Sequence, residues 1–285
     1  MTSPTLLDLP TGCVRAVLDT DAYNEIDDQF AIVYSVLAPD RIDLEAVYAA
    51  PFLNKRSTSA ADGMEKSYEE IERVLGLLGA VERIPAFRGA EAFLQDSPEP
   101  VVTPAVEDLI ARARDREKGP LYVMAIGAIT NVATALLLAP DIAENVVVIW
   151  LGGHAEYWAD NHEFNFIQDV VAVRAVLESE ATLFRVPCVP VADHLMTTPF
   201  EMEHYLKGKG DLADYLWSIF RDYREHDGAW AKVIWDIAVV GWLVDPSWVP
   251  SEVAPLAILS EESTWAPCPT GRKVRTALQV HRDPI

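Results

Sequence analysis

The sequence predicts a single α/β domain with a mostly parallel central sheet flanked by helices. Three observations carry that expectation. Short apolar runs alternate with longer amphipathic segments along most of the chain. Those runs are apolar almost throughout rather than at every second residue, as strands covered on both faces require. The segments between them are long enough for helical, right-handed crossovers, which parallel strands need.

The elements follow in order. "RAVLD" (15–19) is a first strand and precedes a helix from about Asp27 to Leu37. "DLEAVYAA" (43–50) is a second strand before a long helix over roughly Ser59 to Leu78. "IPAFRG" (84–89) leads to a helix near Pro104 to Arg116, and "LYVMAIG" (121–127) leads into "ITNVATALLLAP". "NVVVIWLGG" (145–153) passes through a polar loop to the helix "DVVAVRAVLES" (169–179). "ATLFRVP" (181–187) is followed by two helical stretches. No repeat, low-complexity tract or long polar linker interrupts this order, so residues 1–285 are expected to form one domain. In such sheets ligands bind at the carboxyl ends of the strands. Asp19 and Asp21, Asn54, Gly127 and the stretch 152–165 all fall there, which implies one concave site.

Composition narrows the function. Half the residues are hydrophobic and 24 % are charged, a globular balance. Lys and Arg number 23 against 44 Asp and Glu, a formal charge of −21. Nucleic acid and anionic membranes are therefore not expected partners, because the phosphate contribution to binding would be repulsive. No apolar run reaches the length of a membrane span, and the N-terminus lacks a basic start followed by an apolar stretch. Three separated cysteines, Cys13, Cys188 and Cys268, lack metal-site spacing and point to a reduced, cytoplasmic setting.

The segment "VLDTDAYNEIDDQFAI" (17–32) concentrates Asp19, Asp21, Asp27 and Asp28, with Glu25 among them, where a strand gives way to a helix. Helix capping by Asp27 or Asn24 would use one such acid, not four. Carboxylates crowded without His or Cys favour a hard, oxygen-seeking cation such as Ca²⁺ over zinc. Asp236 is expected inside an apolar helix, "VIWDIAVVGWL", where an unpaired charge would be costly, so a metal or a salt bridge must face it. "EFN" (163–165) reads either as ligand contacts or as a loop-to-helix cap using Asn165, and "ITN" (129–131) as a helix start capped by Thr130.

Four ordered blocks resemble the inosine-uridine-preferring nucleoside hydrolase family, whose fold is Rossmann-like: "DTD…IDD…AI", "AIGAITNVATALLLAP", "VVVIWLGG" followed by "EFNFIQD", and "WDIAVVGWLVDP". The likeness runs from about Val14 to Val280. It implies Ca²⁺-dependent hydrolysis of the N-glycosidic bond of a ribonucleoside or related N-riboside, giving ribose and free base. It implies metal ligation by Asp21, Asp28, the Ile126 carbonyl and Asp236, with Asp21 also activating the attacking water. Asp27 would bind the metal's water and a ribose hydroxyl. Glu163 and Asn165 would hold the sugar, with Asn54 and Asn161 as further sugar contacts. The assembly expected is a homodimer or homotetramer. The reaction suits these residues, since charge on an oxocarbenium-like sugar is stabilised by neighbouring carboxylates.

The sequence departs from the family in three places. "AYNEI" stands between Asp21 and Asp27 where the family has the shorter "PGI" or "PGL". Trp235 replaces the histidine of a late "HD" pair, and no histidine occurs between Phe87 and Pro104. The usual proton donors to the leaving base are thus missing. Trp235 is a candidate for stacking on the base and His226 for protonating it, with Tyr223 and Trp230 flanking it at helical spacing; His154 and His162 are further candidates. Two alternatives stay open: a catalytically degraded nucleoside- or sugar-binding protein, and a haloacid-dehalogenase-type phosphatase, which also ends a first strand with two aspartates one residue apart.

Overall fold

The computed structural model describes residues 5–97, 99–224 and 228–285. Eight strands form one sheet: β1 (Val14–Thr20), β2 (Ile42–Ala49), β3 (Ala86–Arg88), β4 (Leu121–Ala125), β5 (Val146–Leu151), β6 (Thr182–Val186), β7 (Ser251–Pro255) and β8 (Lys273–Ala277). Their spatial order is β3-β2-β1-β4-β5-β6-β8-β7. Every pairing is parallel except that of β8 with β7. All residues of β1 and β5 are buried, which accounts for the unbroken apolar run of β5 and for the apolar stretch Ala16–Leu18 in β1.

Nine helices surround the sheet among the described residues: α1 (Asp28–Leu37), α2 (Ala60–Leu77), α3 (Pro104–Arg114), α4 (Thr130–Leu138), α5 (Phe164–Gln168), α6 (Val170–Glu178), α7 (Pro199–Leu206), α8 (Asp211–Arg221) and α9 (Ile237–Val244). Side chains alternate across the pleat into two cores. Leu18, Val147 and Ile149 pack with Ile32, Ile71, Val239 and Trp242 on one face. Val17, Val148 and Trp150 pack with Val106, Leu109, Val132 and Val173 on the other. The expected strands and helices through β6 and α8 are all present, their ends shifted by a few residues. Strands β7 and β8 went unread because β7 is exposed or half-buried along its whole length and carries no apolar run.

Strand order reverses between β1 and β4, since β1 leads outward to β2 and β4 outward to β5. At such a switch point the connections leave in opposite directions and open a crevice at the carboxyl ends. That crevice holds the acidic segment.

Candidate active site

Thr20 ends β1, and the chain turns at once, the Asn24 N–H donating to the Asp21 carbonyl (2.7 Å). Asp27 occupies the N-cap position of α1, but its side chain caps nothing. Its Oδ2 accepts instead from the Trp235 backbone N–H (2.8 Å), and its Oδ1 lies 3.6 Å from the Lys232 ammonium. Asp28, the first residue of α1, accepts from the Thr20 hydroxyl. Asp236 stands just before α9 at its N-cap, again with no side-chain cap bond, so it is not inside the apolar helix as the sequence suggested. Helix start and turn thus turn three carboxylates toward one another. Oxygens of Asp27, Asp28 and Asp236 lie within 4.8 Å of each other. Asp21 stands outside that trio at the wall of the same cavity, 1 % exposed, with no hydrogen-bond donor facing either oxygen.

Burial, with the neighbouring charges added to it, raises Asp21, Asp27, Asp28 and Asp236 above their ordinary range. Burial pushes Asp28 up to about 7, and the Asp27 charge adds to it. Burial and then Asp28 hold Asp21 well above the usual value, and Asp236 is held well above it by burial, Asp27, Asp28 and Asp21. Asp27 is raised by burial against the pull of Lys232. Burial alone would lower the Lys232 ammonium, but Asp27 and Glu25 carry it above its ordinary value.

A cavity of about 630 Å³ opens over these acids. It is lined by Asp21, Asp27, Asp28, Asp236, Ile126, Glu163, Asn165, Asn54 and Trp235, with Asn24, Glu25, Lys55, His154 and Cys188. On the β4–β5 side, the Asn165 amide donates to the Ile126 carbonyl and the Leu151 carbonyl, each at 3.0 Å. Glu163 caps α5, accepting from the backbone N–H groups of Gly153 (2.8 Å), Asn165 (2.9 Å) and Phe166 (3.0 Å). The capping role considered for Asn165 therefore belongs to Glu163. Asn161 is fully buried outside the cavity lining, where its Oδ1 accepts from the His154 N–H and the Trp265 indole. Thr130 is the first residue of α4 rather than its cap, and its hydroxyl donates to Asp169 (2.8 Å).

The inserted residues 22–25 are tied to the protein by Gln29, Asn54, Tyr223 and Lys232. Gln29 donates to the Ala22 carbonyl (2.6 Å), and Asn54 donates to the Asn24 side chain (2.6 Å). The Glu25 carboxylate accepts from the Tyr223 hydroxyl (2.9 Å) and from Lys232 (2.5 Å). Of the expected leaving-group residues, Trp235 lines the cavity, and His226 lies outside the described residues. Helix α8 stops at Arg221, and Trp230 stacks on Phe220 with ring centres 5.0 Å apart, so Tyr223 and Trp230 do not share a helix. His154 lines the cavity, its Nδ1 accepting from the Val189 N–H (3.4 Å), whereas His162 is exposed beside Asp160. Burial lowers the His154 imidazole below its ordinary value.

Lys232 and Thr20 were not singled out from sequence, and only their positions beside the acidic motifs in the chain pointed to them. Asp19, beneath the floor, is 0 % exposed and bonded to the Asn131 amide (2.7 Å), and burial raises it to about 7. The donor set is entirely oxygen, and the buried, donorless Asp21 oxygens require positive charge, so these residues fit a hard divalent cation. No helix among the described residues is long and apolar enough to cross a membrane.

A model of the family described as inosine-uridine preferring nucleoside hydrolase matches residues 16–282. The non-specific ribonucleoside hydrolase RihC of Salmonella paratyphi B is 26 % identical over 255 residues, which cover 83 % of this chain and 80 % of that protein. Among solved structures, a plant nucleoside hydrolase superposes with a TM-score of 0.75 at 19 % identity, covering 95 % of each chain. An inosine-uridine preferring nucleoside hydrolase from Bacillus anthracis gives 0.69 at 16 % identity, covering 94 % of this chain and 95 % of its own.

Proposed function

The chain belongs to the inosine-uridine preferring nucleoside hydrolase family and is a hydrolase acting on N-glycosyl compounds; from that premise we propose that it uses Ca²⁺ to split a ribonucleoside or related N-riboside into ribose and free base. The observation that carries this reading is the buried, donorless pair of oxygens on Asp21 beside the carboxylate trio of Asp27, Asp28 and Asp236. Asp21, Asp28, Asp236 and the Ile126 carbonyl would hold the ion. When bound, Ca²⁺ supplies the positive charge this cluster lacks and makes a neighbouring water more acidic.

The chain's own residues do the rest. Asp21, whose burial strengthens its hold on a proton, takes one from the attacking water. Asp27 is aimed by the Trp235 N–H and by Lys232, and it accepts from a sugar hydroxyl. The acidic wall stabilises positive charge on the sugar as the bond to the base lengthens. Glu163 Oε2 is filled by the Gly153 and Phe166 N–H groups, but Oε1 keeps one acceptor position beyond the Asn165 N–H, so Glu163 and Asn165 orient the sugar from the β4–β5 side, and Asn54 from the β2 side. Trp235 offers an aromatic face to the base. The family membership favours this reaction over phosphate-ester hydrolysis. A crystal soaked with Ca²⁺ and ribose tests the site: density between Asp21, Asp28 and Asp236 with ribose hydroxyls beside it is expected, and an empty space there would overturn the assignment.

A further inference from the structure

Residues 22–25 place a carboxylate at the seam between two cavities. A second cavity of about 340 Å³ adjoins the first and is lined by Tyr23, Gln29, Arg56, Tyr215 and Tyr223 among others; Glu25 and Lys55 line both. The Glu25 side chain is 36 % exposed, whereas that of its partner Lys232 is 7 % exposed. The Tyr223 hydroxyl holds Oε1 and Lys232 holds Oε2. A carboxylate has about four lone-pair positions, so one remains on each oxygen. Glu25 is thus fixed from the protein side and open toward the cavities. This differs from Glu163, whose Oε2 is filled by the Gly153 and Phe166 N–H groups and whose Oε1 accepts from the Asn165 N–H.

The strand order gives the two flanks of the site different tasks. Glu163 and Asn165 stand over β4 and β5, while the insertion and Lys55 stand over β1 and β2. With the sugar over Asp21, Asp28 and Asp236 and its hydroxyls toward Glu163 and Asn165, the leaving group lies toward Trp235, Glu25 and Lys55.

We propose that Glu25 recognises the leaving base, and that the preferred substrates are N-ribosides whose base presents two adjacent N–H donors, as the 2-amino-6-oxo edge of guanine does. Two parallel N–H groups match the two free carboxylate positions in the bidentate geometry that makes such pairs strong. Lys55, on the same wall, donates to the neighbouring 6-oxo group. This assignment deepens the hydrolase reading and rests on it.

The test compares guanosine with purine riboside, which lacks both donors, in the Ca²⁺-loaded wild type and in Glu25→Gln. The amide at position 25 puts a donor where an acceptor is needed, so the guanosine to purine riboside ratio of kcat/KM should fall about 10- to 100-fold. Calorimetric binding of the two nucleosides should show the same loss of preference, and matching thermal melts establish that the variant is folded. Equal losses on both nucleosides, or an unchanged ratio, would overturn the role of Glu25. Wild-type turnover of p-nitrophenyl riboside, whose leaving group needs no protonation, tests the hydrolase reading separately. If that substrate is untouched, hydrolysis fails as the function while the binding ratio still decides Glu25.

Discussion

Asp21 has no donor facing it although it is buried, and that is the residue-scale fact on which the chemistry turns. Replacing it by Asn removes the proton acceptor while keeping the shape. At saturating Ca²⁺, Asp21→Asn should lower kcat by about 10²- to 10⁴-fold in a ribose-release assay, as expected for loss of a general base. Glu163 makes a contrasting case, because three backbone N–H groups depend on it. Glu163→Ala should cost about 1–2 kcal/mol of stability in urea denaturation, the range for losing a helix cap, in addition to weakening sugar binding. Asp21, Asp27, Asp28 and Asp236 were all legible in sequence, because a strand-turn-helix junction has to bring the first three together and an acid in an apolar stretch has to find a partner. Asn161 was misleading for a plain reason: an Asn in a polar loop serves backbone satisfaction as readily as it serves a ligand.

At the scale of elements, the carboxyl ends of β1, β2 and the loop after β3 are tied by one side chain. Asn131, at the start of α4, donates to Asp19 (2.7 Å) and to the Ala49 carbonyl (3.1 Å) and accepts from the Ala90 N–H (2.8 Å). Asn131→Ala leaves at least one buried group without its partner, so urea denaturation should show a loss of about 1–3 kcal/mol. Alternating apolar runs made β1 to β6 readable, since a covered strand must be apolar. The half-exposed β7 carries no such mark. The insertion at 22–25 was visible as an excess of residues, but its tie to Lys232 was not. That contact joins positions 207 residues apart and exists only because α8 and the start of α9 return over β1.

For the whole molecule, the acidic cluster couples stability to both protons and metal. Burial pushes Asp28 and Asp19 up from an ordinary 3.8 to about 7 in the fold, and Asp21, Asp27 and Asp236 are raised too. Without metal the folded chain holds protons that the unfolded chain releases. The contribution of Asp28 and Asp19 is therefore full below about pH 4 and is lost as pH rises through about 7, and the other three act in the same direction. Thermal melts in chelator should show Tm falling over that window, and excess Ca²⁺ should raise Tm more at about pH 8 than at about pH 5, because it replaces the protons. The reverse order would mean that the cluster does not bind the ion. The most direct test of the central claim is reducing sugar released from inosine, uridine, guanosine and p-nitrophenyl riboside, before and after chelation and again with Ca²⁺ restored. Release that stops on chelation, returns with Ca²⁺ and is lost in Asp236→Asn is the predicted result; no ribose from any of the four with Ca²⁺ present would contradict it.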